Sequence, residues 1–370
     1  MSDAGSNLPP RDLTALRAEI DELDRRLTEL LVERLGLAAA IGHEKERQGL
    51  SVYDPDRERR VLDRVVQLAG GRVTREQLTP IYREIISASR AQESARAVLV
   101  HGEWGALVHQ AALQRFGASA VIEPTSRAED IFARLEEGSG EYAVVSVEGH
   151  SFEASLDRLD LFLHREVRVF AEYSVEPRLG VYAPPGASAD GPIYGTAAVL
   201  AQVSRWMSVQ PPGREIRLAG NVGEAIRLAA AGSGAVVGHA LLESIAGLTP
   251  RDQVIEDLPE ARRRFLVLAH RRSAPTGRDK TLLLLVLANR PGSLHSVTGI
   301  LAQEQLNVSW LEPKPTHLGP WDHLFVIEIE GHEEDAAVER ALSALKREAE
   351  LLRVLGSYPA EAPRARIASP

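Results

Sequence analysis

The sequence contains no cysteine and no long apolar run, and it has no excess of positive charge. Without cysteine the chain can form neither disulfides nor thiolate metal sites, and it cannot use thiol catalysis. No stretch reaches the roughly 18 apolar residues that a membrane-spanning helix needs. The first residues lack a basic segment followed by an apolar one, so we expect no secretory signal and a cytoplasmic protein.

The net charge of −9 at pH 7 argues against a general binder of nucleic acid or of a membrane surface. The acidic excess lies outside the segment from Arg11 to Arg96, because 16 basic and 16 acidic side chains balance within it. Hydrophobic residues make up 44% and charged residues 26%, a composition typical of globular proteins with buried cores. The length of 370 residues fits two or three domains.

Residues 11–97 have the pattern of an all-helical domain. Apolar residues recur every three or four positions along one stripe, at Leu13, Leu16, Ile20, Leu23, Leu27 and Leu30. A helix from Arg11 to Gln48 would be about 55 Å long, which is longer than a domain of about 90 residues is wide. Such a helix needs a packing partner from another chain, so we expect a dimer.

Two further helices are predicted in this domain. Asp54-Pro55 is a helix start, and Gly70-Gly71 ends the second helix. Thr74–Gln77 has the pattern of a capping box, but the proline of Thr79-Pro80 follows so closely that we expect the third helix to begin there. It should run to about Ala95.

From Ala97 onwards, short β-rich stretches alternate with helical ones, which predicts an α/β domain with largely parallel sheets. One helical stretch in this alternation is Ala197–Met207. A polar linker, Arg271–Asp279, precedes a final unit with the βαββαβ order of a ferredoxin-like domain. We therefore place three domains at residues 11–97, 98–270 and 279–358.

Polar side chains interrupt the apolar faces of all three predicted helices. Arg34 lies on the buried stripe of the first helix, where a guanidinium is costly unless an anion pairs with it. Others lie beside the apolar faces, namely Arg17, Lys45, Arg57, Glu58, Ser89 and Glu93. One interpretation is a buried ion network or a polar layer that sets the register of a helical dimer.

The whole set favours a second interpretation, a cavity for a small molecule with several carboxylates. Cations outnumber acids in it, and the planar guanidinium of arginine grips a carboxylate at two points. No cysteine, histidine pair or activated serine accompanies these cations. The pattern therefore indicates binding and electrostatic catalysis rather than covalent chemistry.

The first domain contains the segments LRAEIDELDRRLTELLVER, IGHEK, VYDPDRE and IYREIISASRAQE. These segments resemble the all-helical chorismate mutases. The order of domains is similar to that of the bacterial P-proteins, in which a chorismate mutase, a prephenate dehydratase and an ACT regulatory domain follow one another. The resemblance implies a three-helix mutase that forms an intertwined dimer, an α/β periplasmic-binding-like dehydratase domain, and a ferredoxin-like ACT domain.

The resemblance also implies the reaction, a Claisen rearrangement of chorismate to prephenate that needs neither cofactor nor metal. Arg34 and Arg17 of a partner chain would hold the two carboxylates of the substrate, and Lys45 would donate to its ether oxygen. The remaining roles fall to Arg57 as a further cation, to Asp54 and Glu58 as ligands of the ring hydroxyl, and to Ser89 nearby. The site would select the compact conformer and stabilise charge on the ether oxygen.

Glu93 departs from family members that carry a neutral glutamine opposite the ether oxygen. Only a protonated carboxyl can donate a hydrogen bond there. We therefore expect activity to fall as Glu93 loses its proton with rising pH, and Glu93→Gln to flatten this dependence.

The middle domain resembles prephenate dehydratases in length but not in its working residues. The opening motif of the family, close to GPxGTFSHQAA, reads GEWGALVHQAA here, with Ala106 and Val108 at hydroxyl positions. Gly149 interrupts the motif that is Glu-Asn-Ser in the family, and Arg263 replaces the threonine of the Thr-Arg-Phe motif. Arginine keeps its proton and is a poor general acid, so we expect a degenerate domain with doubtful dehydratase activity. Arg263 and Arg264 would form a solvated basic patch or an anion site.

The last domain has Asn289–Leu294 and Leu311–Pro315 where ACT domains of this family carry the motifs that cradle phenylalanine. Ser293, Leu294 and Glu312 are the candidate ligand residues, although Pro-Gly turn chemistry alone explains the first segment. Binding of an amino-acid effector is left open.

The sequence is thus interpreted as a chorismate mutase of aromatic amino acid or related shikimate-derived metabolism. Its partners would be chorismate and a second copy of the chain, as a homodimer or a higher oligomer, with no nucleic acid and no membrane. Two alternatives stay open. One is a bifunctional chorismate mutase/prephenate dehydratase that makes phenylpyruvate for phenylalanine biosynthesis, and the other is a non-catalytic metabolite sensor.

Overall fold

The computed structural model describes residues 12–48, 55–93, 96–147, 161–258, 262–315 and 323–361. The chain forms two compact units. The first comprises Met1–Ala95 together with Phe116–Ala120, and the second comprises Arg96–Arg115 and Val121–Pro370. Within the described ranges, no helix is both long enough and apolar enough to cross a membrane.

The first unit contains the three predicted helices, α1 (Leu13–Gln48), α2 (Pro55–Ala69) and α3 (Arg75–Glu93). Helix α1 has 36 residues and is therefore about 54 Å long. The apolar side chains of its first half are more than half exposed in the single chain, at Leu13, Ile20, Leu23, Leu27 and Leu30. This chain alone leaves the predicted stripe uncovered.

Helix α3 begins at the capping box and not at Thr79-Pro80, so that expectation was wrong. The Gln77 side chain accepts a hydrogen bond from the Thr74 amide at 3.0 Å, and the Thr74 hydroxyl accepts one from the Gln77 amide at 3.4 Å. These bonds satisfy amide groups that a helix start leaves without partners. Pro80 lies inside the helix near this start, and the capped first turn tolerates the one backbone hydrogen bond that it removes.

The second unit begins with an α/β region of two five-stranded sheets, in the orders β2-β1-β3-β10-β4 and β7-β6-β8-β5-β9. Its elements are β1 (Ala97–His101), α4 (Leu107–Phe116), β2 (Ile122–Thr125), α5 (Ala128–Glu136), β3 (Gly140–Ser146), α6 (Leu161–His164), β4 (Arg168–Val175), β5 (Leu179–Ala183), β6 (Ile193–Gly195), α7 (Ala197–Leu200), α8 (Ser204–Ser208), β7 (Ile216–Leu218), α9 (Val222–Ala231), β8 (Ala235–His239), α10 (Leu241–Ala246), β9 (Thr249–Gln253) and β10 (Arg263–Ala269).

Both sheets are mixed, which corrects the expectation of largely parallel sheets. Strand β1 pairs in parallel with β2 and β3, but β10 returns from the second sheet and runs antiparallel to β3 and β4. Strand β5 is likewise antiparallel to β8 and β9. The predicted helix Ala197–Met207 is two helices, because the Asp257 carboxylate accepts hydrogen bonds from the amides of Ser204 and Arg205 and starts α8 afresh.

The ferredoxin-like order βαββαβ is confirmed in the last region. Its elements are β11 (Asp279–Leu287), α11 (Ser293–Gln303), β12 (Val308–Pro315), β13 (His323–Glu330), α12 (Ala336–Glu348) and β14 (Leu351–Pro359). They form an antiparallel sheet in the order β12-β13-β11-β14.

Strand β11 explains how this sheet is held in the second unit. Leu283 and Leu285 pack with helices α11 and α12, whereas Leu282 and Leu284 join the core around Leu99 of β1. Alternate side chains of a strand point to opposite faces, so a continuous apolar run fits a strand that is buried on both faces. The run of leucines in β11 therefore joins the two parts of the second unit through one core.

Candidate active site

A cavity of about 250 Å³ lies among the three helices of the first unit. Its apolar wall is formed by Leu37, Ala38, Ile41, Val61 and Ile86, and its polar wall by Arg34, Lys45, Arg57, Glu58, Ser89, Arg90 and Glu93. The polar wall has four cations and two carboxylates. Such a cavity is suited to a small anion with two negative charges.

Arg34 projects from α1 towards α3. Its Nη1 donates to the Ser89 hydroxyl and, at 3.4 Å, to the carbonyl of Ile85. The Ser89 hydroxyl in turn donates to the same carbonyl at 2.7 Å, and Ser89 is buried. The guanidinium is thus held in one orientation in the cavity wall, as a preformed carboxylate site requires.

Lys45 and Glu93 form an ion pair across α1 and α3, with 3.0 Å between Lys45 Nζ and Glu93 Oε2. A glycine permits the close approach of the two helices, because a Cβ at Gly42 would lie 2.6 Å from the Cα of Glu93. Gly42 lies about one turn before Lys45, so the contact brings the lysine beside the carboxylate. Sequence analysis did not single out Gly42, because the residue that a helical glycine faces depends on how the helices pack.

The other predicted mutase residues differ in where they lie. Arg57 and Glu58, in the first turn of α2, line the cavity with the residues of α1 and α3. Arg17 is exposed and does not line the cavity of its own chain. Asp54 lies outside the described residues.

Arg90 is a cavity residue that sequence analysis did not single out. It lies one position after Ser89 in α3, and its Nη1 is 3.3 Å from Oε1 of Glu58. The available signal was its place in the motif IYREIISASRAQE. Its role depends on how α2 packs against α3, and the sequence pattern does not predict this packing.

Glu93→Gln tests the predicted role of this carboxyl. Glutamine donates a hydrogen bond at every pH, whereas an ionised glutamate only accepts, and Glu93 accepts from Lys45 in this structure. We expect the variant, which can donate towards the ether oxygen, to have a higher kcat/KM for chorismate than the wild type, whose Glu93 accepts from Lys45. Steady-state kinetics of both proteins in one buffer measure this. Equal kcat/KM values in the two proteins would contradict the role.

The α/β region brings two of the dehydratase-like motifs, the opening motif and the one that contains Arg263, to one edge of its first sheet. Residues 102–110 follow β1, residue 147 follows β3, and Arg263 begins β10, which is antiparallel to β3. The amide of Val147 donates to the carbonyl of Arg264 at 3.1 Å. Ligand sites of open α/β sheets lie at the carboxyl ends of such strands, so this edge is a candidate site.

The first motif has apolar residues at this edge in the two positions where the family motif has hydroxyl groups. Ala106 and Val108 are buried at the start of α4, and a Cβ at Gly102 would lie 2.7 Å from Cγ1 of Val108. Arg263 is partly buried in β10 opposite Val175. Gly149 lies outside the described residues.

Arg264 is not part of a solvated basic patch, which corrects that expectation. Its Nη2 pairs with Oε2 of Glu172 at 2.7 Å and with Glu328. Lys280 Nζ lies 2.8 Å and 3.1 Å from oxygens of the same two carboxylates, and the Tyr358 hydroxyl donates to Glu328. Two cations thus neutralise two buried carboxylates, and the guanidinium is engaged with internal partners.

His239, at the end of β8, is a buried titratable group. Within the described part of the chain, neither ring nitrogen has a hydrogen-bond partner, and burial lowers the pKa of His239 to about 4. In the unfolded chain the ordinary pKa is about 6.5, so the unfolded state takes up the proton first as pH falls. The second unit should lose about 3 kcal/mol of stability between about pH 6.5 and pH 4.

We expect His239→Leu to remove most of this acid sensitivity, because leucine cannot bind a proton. Urea unfolding of the full chain at pH 7 and at about pH 4.5 measures it. The exposed His295 of α11 is the matched control. His295→Asn should lose as much free energy of unfolding between the two pH values as the wild type does. The same loss in all three proteins would contradict the prediction.

The candidate ACT ligand residues lie on α11 and β12. Gly292 has a positive φ of +88° and precedes α11, and the Ser293 hydroxyl donates to the carbonyl of Ala288 at 2.8 Å. Leu294 is partly buried against the core between the sheet and its helices. Glu312 lies on the edge strand β12, where its carboxylate is 2.8 Å from Lys314 Nζ.

The fold and the cavity define a multi-domain protein with a helical mutase-like domain, an α/β domain and an ACT-like domain. Family models match all three in order. Chorismate mutase type II matches residues 16–94, prephenate dehydratase matches 98–273, and the ACT domain matches 281–347.

Full-length relatives identify the family. A bifunctional chorismate mutase/prephenate dehydratase of Aquifex aeolicus is 33% identical over 94% of this chain and 98% of its own length. One of the same description from Pseudomonas aeruginosa is 30% identical over 94% of this chain and 97% of its own. The chain belongs to the family of bifunctional chorismate mutase/prephenate dehydratases.

Two solved structures are similar to more than two thirds of the chain. The prephenate dehydratase of Arthrobacter aurescens, in complex with L-Phe, is 26% identical, with a TM-score of 0.64 over 71% of this chain and 90% of that chain. A structure described as a novel type of quorum-quenching acylase is 24% identical, with a TM-score of 0.64 over 72% of this chain and 98% of that chain. The second likeness concerns the fold alone, since one fold carries different activities.

These comparisons confirm the resemblance and the fold class. They support a chorismate mutase, and they support the bifunctional enzyme better than the mutase without dehydratase activity that sequence analysis preferred.

Proposed function

We propose that this chain converts chorismate into prephenate in the cavity of its first unit. The observation that carries the proposal is the polar wall, in which four cations and two carboxylates surround one small cavity. Chorismate has two carboxylates and rearranges without a covalent intermediate. A cavity with excess positive charge, whose described lining includes neither cysteine nor histidine, suits such a substrate.

The residues of the polar wall have different roles in the proposed reaction. Arg34, held by Ser89, grips one carboxylate of the substrate, and Arg57 adds positive charge. Glu58 accepts the hydrogen of the ring hydroxyl. Lys45 donates to the ether oxygen as the C–O bond breaks, and Glu93 lies beside this lysine. Stabilisation of charge that grows only in the transition state raises kcat.

We also propose that the site is completed by a second copy of the chain. The exposed apolar stripe of α1 supports this, since it offers a continuous face for another helix. Arg17 lies on the same half of α1, outside the cavity of its own chain. In the dimer it reaches the cavity of the partner and holds the second carboxylate.

Dehydration of prephenate is the second proposed activity. The relatives that match 94% of the chain favour it. The opening motif and the segment that begins with Arg263 also lie at one edge of the first sheet, where open α/β sheets bind ligands. Ala106, Val108 and Arg263 argue against it, because none of them supplies the neutral proton donor that the leaving hydroxyl needs. An active domain would have to use another donor.

One assay tests both activities on purified protein, by identifying the product formed from chorismate before and after acid treatment. Acid converts prephenate into phenylpyruvate, so only the untreated sample reports the dehydratase. Phenylpyruvate before acid supports both activities. Prephenate alone supports the mutase and contradicts the dehydratase. No turnover contradicts the mutase and favours the metabolite sensor, and the same assay started from prephenate then tests the dehydratase.

An amino-acid effector at the ACT domain is proposed as well. The match to the ACT family supports it, together with the L-Phe in the dehydratase structure from Arthrobacter aurescens. Calorimetric titration of the full chain with L-phenylalanine tests it, with Glu312→Ala as the variant expected to weaken binding. The absence of saturable heat in the wild-type protein would contradict an effector of this kind.

A further inference from the structure

Arg90 links the cavity to a part of the chain beyond the matched mutase region. On one side its Nη1 lies 3.3 Å from Oε1 of Glu58, and the two side chains are only 12% and 15% exposed. In the proposed function, Glu58 accepts the hydrogen bond from the ring hydroxyl of the substrate. The Arg90–Glu58 pair therefore joins α3 to α2 inside the cavity wall.

On its other side the same guanidinium is held by Phe116. Its Nη2 donates to the Phe116 carbonyl at 2.5 Å, and its Cζ lies 5.1 Å from the centre of the Phe116 ring. Phe116–Ala120 belongs to the same compact unit as the three helices, although the mutase family model ends at residue 94. Arg90 thus has partners on both sides and little freedom to rotate.

The segment that holds Arg90 is itself fixed to α3. The Glu84 carboxylate accepts from the amide of Ala118 at 2.9 Å, and the Ser87 hydroxyl accepts from the amide of Ser119 at 3.2 Å. Gly117 has a φ of +80°, and a Cβ there would lie 2.3 Å from the Cβ of Ser87. Only glycine fits this close approach, so the position of the Phe116 carbonyl is well defined.

We propose that Arg90 is a positioning residue of the mutase reaction, which keeps the Glu58 carboxylate oriented to accept the hydrogen of the substrate ring hydroxyl. The proposal rests on the proposed mutase function and adds to it. A guanidinium fixed on its other side by Phe116 restricts the rotamers of the Glu58 carboxylate that it pairs with. A carboxylate fixed in one rotamer loses less entropy when substrate binds.

The test compares Arg90→Ala with wild type in the full chain, with chorismate and with a chorismate analogue that lacks the ring hydroxyl. We expect the KM for chorismate to rise about tenfold, the effect of one misplaced hydrogen bond to a charged group. Turnover of the analogue should stay near the wild-type value, because it has no hydroxyl for Glu58 to bind. Arg90→Lys should recover part of the loss.

A double-variant cycle separates positioning from folding. In a Glu58→Gln background, Arg90→Ala should add little further loss, because the two side chains act as one unit. Arg75→Ala is the matched control, since Arg75 and Asp63 also pair between α3 and α2, at 2.6 Å, but are exposed and outside the cavity. Its kinetics should equal those of wild type.

The role of the segment is tested by Glu84→Ala combined with Ser87→Ala, which removes both hydrogen bonds to the segment outside the cavity. A smaller rise in the KM for chorismate, again absent with the analogue, is expected. Equal losses with both substrates, additive losses in the cycle, or an unchanged KM in Arg90→Ala would overturn the proposal. Failure of the mutase function itself would show differently, as a wild-type chain that does not consume chorismate.

Discussion

Arg34→Ala should reduce kcat/KM for chorismate about a thousandfold while the helices remain folded. Arg34 is held in the cavity wall by Ser89 and the Ile85 carbonyl, so its guanidinium is already oriented when a carboxylate arrives. Truncating one partner of a buried, hydrogen-bonded charge pair costs about 2–5 kcal/mol, and each 1.4 kcal/mol is tenfold. Steady-state kinetics measure the loss, and far-UV circular dichroism monitors the helices.

Complementation by mixing provides the control for this variant. Arg17→Ala should also be inactive, because it removes the arginine that the partner chain supplies. In a mixed dimer of the two variants, one of the two sites has both arginines intact. Equal mixing with exchange of subunits should therefore restore about a quarter of wild-type activity. No recovery in a mixture shown to exchange would contradict the shared site, and full activity in Arg34→Ala would contradict the assignment of the cavity.

Lys45→Met should lower kcat about a hundredfold or more with a much smaller effect on KM. The ether oxygen gains negative charge only as its bond to carbon breaks, so a donor aimed at it acts in the transition state. Removing one such donor costs about 10²–10³ in kcat in enzymes that stabilise an oxyanion. Pre-steady-state and steady-state measurements with chorismate separate kcat from KM.

The variant also leaves Glu93 without its ion-pair partner at a site where both side chains are largely buried. Loss of stability is therefore a second consequence that must be separated from loss of catalysis. The double variant Lys45→Met/Glu93→Gln removes both charges and should recover stability in urea unfolding. It should still lack activity. If activity returned with stability, Lys45 would be a structural residue and not the donor.

The local pattern of the sequence determined the helices and most of the cavity. An apolar stripe with a period of 3.6 residues specifies a helix and the face that it buries, so Arg34 could be assigned to the seam before any packing was known. The same reasoning placed Lys45 and Glu93 beside the apolar faces of the first and third helices. The βαββαβ order of the last domain also followed from local periods, because strand and helix periods differ clearly.

Only the tertiary structure decided which distant groups meet. The pairing of Arg90 with Glu58 depends on how α2 packs on α3. The partners of Arg264 come from the neighbouring strand β4 and from β13 of the last sheet. The antiparallel entry of β10 between β3 and β4 likewise depends on pairing between strands far apart in the chain. Periodicity reports which face of an element is buried, but not which neighbour covers it.

The sequence by itself therefore determined the three helices, three of the four cavity cations (Arg34, Lys45 and Arg57), and the ferredoxin-like order of the last domain. The tertiary structure decided the close contact of Gly42 with Glu93 and the contacts of Arg90 with Glu58 and Phe116. It also decided the ion pairs of Arg264 with Glu172 and Glu328. The physical reason is the range of the interactions. Helix and strand preferences act between residues a few positions apart, whereas these contacts join residues that only the packed chain brings together.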